Sequence, residues 1–285
     1  MYKFGMKKCL ILYDFWVLSQ WKLTRFFYEG NPMTHIKIIH EPNALEPFLV
    51  LEKPAGIPSA PLFAGDTQNA LFEAETLFPQ IRSVHGKKEI EAGLLHRIDT
   101  QTRGLLLLAA SQEFYDHIIL SQERGEFVKT YFAECACDKE NAAKLGGFPF
   151  MPEICDENFG QSQTVSSYFR FYGEGRREVR PVLEGGSKFA IKKLGAKETY
   201  STQIELLCCD KKSAKIKCRI EKGFRHQVRC HLAWLGFPVV GDAIYNHDFR
   251  ARGKEGQMRF FAAGLEFPDL RSRKVFKFEM EMPEI

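Results

Sequence analysis

From residue 35 onward the chain alternates short apolar runs with polar breaks, and few stretches carry helical spacing. Ile36 to Ile39 and Phe48 to Leu51 predict two strands joined by a turn at Pro42 and Asn43. Leu105 to Ala110, directly after Gly104, reads as a buried strand. Phe127 to Cys135, Gln163 to Tyr172, Glu198 to Leu207 and Ser213 to Glu221 follow as further strands. In the last of these Ala214, Ile216, Cys218 and Ile220 face one way, and Lys215, Lys217 and Arg219 the other. The chain closes on Met258 to Phe267 and Lys274 to Met282; in the latter Phe276, Phe278, Met280 and Met282 alternate with charges, the mark of a half-buried strand. Helical spacing covers Thr67 to Phe78, with Asp66 or Thr67 as cap, and Ser111 to Arg124, with Ser111 as cap. Many strands, frequent reversals and few helices predict an α+β fold: a mixed, largely antiparallel sheet with flanking helices and loops.

The remaining stretches limit the domain organisation. In residues 1–33, Lys3, Lys7 and Lys8 precede an apolar run from Cys9 to Tyr13 that Asp14 interrupts. It lacks a signal peptide's cleavage site, and a membrane-spanning helix needs about twenty apolar residues. These residues are expected to be a poorly ordered extension or to lie upstream of a natural start at Met33. Residues 34–285 then form one domain with no membrane attachment, and a monomer is expected. Lys139 to Gly160 reads as a connecting excursion. From Arg170 to Lys197 eight basic residues stand against three acidic ones, with glycines between, which predicts a flexible basic loop able to track phosphates or a merely solvated one.

Composition adds little to this. Hydrophobic residues make up 45% of the 285 and the net charge is only +4, so any polyanion partner depends on local clustering. The eight cysteines form no C-x-x-C pair: Cys135 and Cys137 are two apart, and Cys208 and Cys209 are adjacent. They read as reduced thiols of a cytoplasmic protein, without a metal site. His226, His231 and Asp242 do not alter that, because histidines five apart share no helix face.

Candidate chemistry concentrates in Gly93 to Ala110, GLLHRIDTQTRGLLLLAA. A polar centre of His96, Arg97, Asp99, Thr100, Gln101, Thr102 and Arg103 sits between two apolar runs. A carboxylate between an arginine and a glycine turn, beside a buried strand, suits a reactive centre on rigid scaffolding. An aspartate that merely caps a turn, with Arg97 solvated, fits the same pattern.

The stretch resembles the motif H-R-L-D-x-x-T-S-G-L-L-L-L-A of the RluA-type RNA pseudouridine synthases, with Ile98 for leucine and Arg103 for serine. Three further segments carry the resemblance. Glu52-Lys53-Pro54-Ala55-Gly56-Ile57 is similar to D-K-P-x-G-L, and Lys129-x-Tyr131-x-Ala133 to K-x-Y-x-A. Gly223 to Tyr245 resembles G-R-T-H-Q-I-R-x-H-L-x-x-x-G-x-P-I-x-G-D-x-x-Y, with Phe224-Arg225 for Arg-Thr. The resemblance implies the pseudouridine synthase fold without an S4-type domain. It implies an isomerase that converts uridine in ribosomal or transfer RNA to pseudouridine, with no cofactor or metal because the product is an isomer. Asp99 would be the nucleophile, Arg229 its ion-pair partner, and Tyr131 would stack on the uracil and help remove the C5 proton. Arg97 would fill the space of the flipped uridine, and His96, Arg225, His226 and Gln227 would contact the RNA. Basic side chains of the 170–197 loop and of the Lys215, Lys217 and Arg219 face would hold phosphates. The alternative is a non-catalytic RNA-binding or ribosome-assembly protein on the same fold.

Overall fold

The computed structural model describes residues 35–152, 162–253 and 256–280. The expected N-terminal extension, most of the second half of the 139–160 excursion and Met282 lie outside them. Among the described residues ten strands form one sheet: β1 (Lys37–His40), β2 (Phe48–Lys53), β3 (Arg103–Ala109), β4 (Val128–Ala136), β5 (Ser162–Tyr172), β6 (Glu178–Val182), β7 (Tyr200–Cys209), β8 (Ser213–Ile220), β9 (Phe260–Pro268) and β10 (Val275–Glu279). Their order is β1-β2-β3-β9-β4-β8-β7-β5-β6, with β10 also paired to β9. Every pairing among them is antiparallel except β3 with β9. The mixed, largely antiparallel sheet is therefore present.

Alternation along β2 and β3 sends side chains to two cores. Leu49, Leu51, Leu106 and Leu108 join one apolar cluster, and Phe48, Val50, Leu105 and Leu107 the other. Helix α1 (Ala70–Leu77) packs Ala70, Leu71 and Ala74 into the first. Helix α2 (Gln112–Glu123) packs Phe114 and Ile118 into the second, so the two helices cover opposite faces. Ser111 caps α2 as expected, accepting from Phe114 N–H. The cap of α1 is Asn69, not Asp66 or Thr67; Asp66 instead accepts from Leu62 and Gln68 N–H in the preceding turn. Three short helices, α3 (Asn141–Leu145), α4 (Lys188–Ile191) and α6 (His247–Ala251), and the fully buried α5 (Gln227–Trp234) complete the fold. Val228, Leu232 and Trp234 of α5 share the α1 core.

Two expectations about charge need correction. The 170–197 stretch is not one loop, because it contains the end of β5, all of β6 and α4. Arg180 within it is completely buried, donating to the Gly146 and Val179 carbonyls and to Glu178, with Phe148 and Tyr172 rings against its guanidinium. The 173–177 turn, with Arg176 and Arg177, and the segment around α4 stay open; Lys188, Lys192, Lys193 and Lys197 are outside any ion pair among the described residues and Phe189 is exposed. The Lys215, Lys217 and Arg219 row is solvated but faces away from Tyr131. Tyr131 lies opposite Cys218 in the ladder, whereas Lys217 lies opposite Phe132. Glu266 pairs with Arg219 at 2.8 Å, and Glu205 lies 4.0 Å from Lys217.

The one parallel contact rests on Gly104, whose φ is +143°. A Cβ there would stand 2.2 Å from the Ala262 carbonyl oxygen of β9. Gly104→Ala is expected to destabilise the protein by roughly 2–4 kcal/mol through backbone strain and loss of the β3–β9 junction. Urea unfolding measures this, and an unchanged midpoint would show that the junction tolerates a side chain.

Candidate active site

Two segments far apart in sequence meet on the α1 face of the sheet: the turn before β3 and the start of α5. The turn is closed by Thr102 N–H donating to the Asp99 carbonyl at 2.9 Å. Beneath it Lys53, at the end of β2, is completely buried. Its ammonium donates to the carbonyls of Pro54 (2.8 Å), Ile57 (2.7 Å) and Thr100 (3.1 Å), tying the 54–57 turn to the Asp99 turn. Burial lowers the Lys53 pKa to about 8, against the opposing pull of Asp99. Sequence reasoning gave Lys53 no role, although it stands in a quoted motif.

Helix α5 starts after His226, a non-glycine residue in the left-handed region with φ +57°. Arg229 lies one turn in. Its guanidinium makes two parallel bonds to Asp242, Nε to Oδ2 and Nη2 to Oδ1, both 2.7 Å, and Nη1 donates to Asp99 Oδ2 at 2.5 Å. The fork geometry of arginine permits this, where a lysine would present a point charge. Asp242 is completely buried, and its Oδ1 also accepts from the backbone N–H of Ile244 (2.8 Å) and Tyr245 (3.1 Å). The residue belongs to the site although it was read from sequence only as a discarded metal ligand; its place in the G-D-x-x-Y segment was the available signal.

The electrostatics follow from these contacts. Burial pushes the Asp99 carboxyl up, but Arg229, His226 and Arg225 outweigh it and hold the pKa below 3.8. Burial, opposed by the two carboxylates, leaves Arg229 with a net upward shift. Asp99 is therefore an ionised carboxylate whose side chain remains 29% exposed. His226 Nε2 lies 3.8 Å from Asp99 Oδ1, and burial lowers its pKa to about 4, so the ring is neutral. Tyr131 is buried and stacks parallel to Phe260, with centroids 5.1 Å apart. Burial and then the Asp99 charge raise its pKa, keeping the phenol protonated. Such a phenol moves a proton only by handing its own on.

The expected site residues divide into three groups. Asp99, Arg229, Tyr131 and His226 converge. Arg97 and Arg225 are exposed at the rim: Arg97 pairs with Glu91 at 3.1 Å, and Arg225 donates to the Arg177 carbonyl. His96 and Gln227 make their hydrogen bonds to the scaffold, with His96 Nδ1 left without a partner among the described residues. His96 Nε2 accepts from Leu107 N–H at 3.2 Å and its ring meets Phe127 edge-on, while burial lowers its pKa to about 3. Gln227 is buried, donating to Ser201 O and Thr202 Oγ1 and accepting from Phe224 N–H. His231 is likewise internal, between Ser167 Oγ (2.9 Å) and Thr202 Oγ1 (2.8 Å). Among the described residues no group of three or more His, Cys, Asp or Glu side chains is placed to hold a metal ion.

Residues 47–234 match the family model described as RNA pseudouridylate synthase. A ribosomal large subunit pseudouridine synthase D of Zymomonas mobilis is 28% identical over 246 residues, 84% of this chain and 68% of that protein. A tRNA pseudouridine(31) synthase of Saccharomyces cerevisiae is 28% identical over 207 residues, 70% of this chain and 44% of that protein, so the chain spans less than half of this second relative. In fold, the chain is similar to human RNA Pseudouridylate Synthase Domain Containing 1, with a TM-score of 0.58, 19% identity and coverage of 90% of this chain and 87% of that one.

Because the Asp99 pKa lies below 3.8, the unfolded chain takes up this proton more readily than the native state. The stability that Asp99 contributes is complete above that value and is lost as pH falls through the lower folded value. Urea midpoints of the wild type and Asp99→Asn should therefore converge, and then cross or narrow further, on acidification through this window. A constant offset would show that Arg229 does not perturb Asp99. Asp242→Ala, which removes two of the three bonds of a buried guanidinium and leaves it with Asp99 alone, should cost about 3–5 kcal/mol by the same measurement.

Proposed function

The chain belongs to the RNA pseudouridylate synthase family, and from that premise we propose that it isomerises specific uridines of ribosomal or transfer RNA to pseudouridine with Asp99 as the nucleophile. The observation that carries the assignment is the Asp99–Arg229–Asp242 bridge, which aims an ionised, partly exposed carboxylate at the open side of the site. Both RNA classes are in view because the relatives' names refer to the large ribosomal subunit and to tRNA.

In this reading the N1–C1′ bond breaks with its electron pair leaving on uracil, the base turns, and C5 bonds to C1′. The C5 proton then departs and N1 gains one, so atoms balance without a redox partner. Asp99 stabilises or captures the electron-poor C1′, as carboxylates do at other sugar centres. Tyr131 offers its ring face to the uracil. Arg97 leaves Glu91 to fill the stack that the flipped uridine vacates, since reaction at both edges of a base requires its extrusion. The lysines around α4, adjacent to Phe224 through Gly195, hold phosphates beside the site. The cytoplasmic location and monomeric state belong to the same proposal. Asp99, Tyr131 and Arg229 together favour an enzyme over a non-catalytic RNA-binding protein.

Asp99→Asn should lower pseudouridine formation by at least about a thousandfold while RNA affinity changes little. A carbodiimide-based map of ribosomal and transfer RNA, from cells with the gene, without it and with Asp99→Asn, names the substrate; substantial turnover by the variant would remove Asp99 from its role. Arg97→Ala should lose more activity on a structured RNA than on an unpaired loop of the same sequence. Equal losses would count against base replacement.

A further inference from the structure

Behind His226 stands a tyrosine that the mechanism above does not use. Tyr245 is completely buried. Its hydroxyl has two neighbours among the described residues: it accepts from Val179 N–H at 2.9 Å, and His226 Nδ1 lies 3.0 Å away. The ring meets the imidazole edge-on, with centroids 5.6 Å apart. Its backbone N–H donates to Asp242 Oδ1, the oxygen that also receives Arg229 Nη2. One carboxylate thus aims both the arginine and this tyrosine.

The protons on this path can be counted. An amide N–H only donates, so the Tyr245 oxygen must accept from Val179. If His226 carried its proton on Nδ1, Tyr245 would accept a second time, and its own proton would point into a buried space with no acceptor. A buried hydroxyl left without an acceptor is costly. The satisfied alternative has Tyr245 donating to a bare Nδ1, which places the imidazole proton on Nε2. That nitrogen faces Asp99 Oδ1 at 3.8 Å and has no hydrogen bond among the described residues, so its N–H remains available.

We propose that Tyr245 is a positioning residue that locks His226 in the Nε2–H tautomer, presenting a neutral donor beside Asp99 to the negative charge that develops as the glycosidic bond breaks. The catalytic half of this inference rests on the pseudouridine synthase reading; the tautomer itself does not. A neutral donor suits this place. An imidazolium would form an ion pair with Asp99 and compete with the sugar carbon for its lone pairs, whereas a neutral N–H leaves the carboxylate reactive.

The test is the tautomer of His226 in the whole protein labelled with 15N-histidine, read from long-range proton–nitrogen correlations, with His226→Gln identifying the signal. The expected spectrum shows a protonated Nε2 and a bare Nδ1. A protonated Nδ1 in the wild type overturns the proposal without any activity assay. In Tyr245→Phe the Nε2–H fraction should fall toward the mixture of a free neutral imidazole, and kcat on the RNA found by mapping should fall about tenfold while KM moves little. An unchanged tautomer in the variant, or a changed tautomer with unchanged kcat, also overturns it. A wild type that shows the expected tautomer but forms no pseudouridine on any RNA would instead sink the functional reading alone.

Discussion

One guanidinium shared by two carboxylates holds this site together. Asp242 takes two arms of Arg229 and Asp99 takes the third, although Asp99 and Arg229 are 130 positions apart in the chain. An arginine buried in the first turn of an enclosed helix would be costly by itself. Here Asp242 neutralises it, and two backbone N–H groups complete the Asp242 hydrogen bonds. Because Asp242 already satisfies the cation, Asp99 adds a further negative charge that is only partly desolvated. The Arg229 charge and the Nη1 hydrogen bond still hold its carboxyl below the ordinary value, while its side chain stays partly exposed.

Departures from the family pattern are matched to one another in space. Glu52 stands where the resembled motif has aspartate, and Arg103 where it has serine; the two side chains form an ion pair beside the Asp99 turn. Phe224 and Arg225 replace an arginine and a threonine. Phe224 stacks on Phe169 at 5.1 Å and packs against Gly195, while Arg225 turns outward to the Arg177 carbonyl.

The strands were legible because apolar runs and period-two alternation report directly on burial in a sheet. Ser111 was legible as a cap for the same local reason, its hydroxyl being one turn from the N–H it accepts. What sequence could not separate were residues of similar type with different partners. Asp66 and Asn69 both suit a helix start, and only the chain's path decides that Asn69 caps α1. Arg180 reads as one more basic residue of an open stretch, yet it is enclosed by aromatic rings contributed from Phe148 and Tyr172. In the motif GFRHQVR, pattern alone marks His226 and Gln227 equally. Non-local contacts with Ser201 and Thr202 turn Gln227 into scaffold, and contact with Tyr245 leaves His226 facing the site.

The two oxygens of Asp99 consequently have different environments. Oδ2 is fixed by Arg229, which sets the plane of the carboxylate and stabilises its charge. Oδ1 has His226 Nε2 at 3.8 Å, beyond hydrogen-bond reach. Around it Tyr131 and His226 are both held neutral by burial. The carboxylate is thus anchored through one oxygen while the other stands beside groups held neutral, so it stays ionised with one oxygen outside the Arg229 bridge. That asymmetry follows from Arg229 having three usable arms and Asp242 occupying two of them.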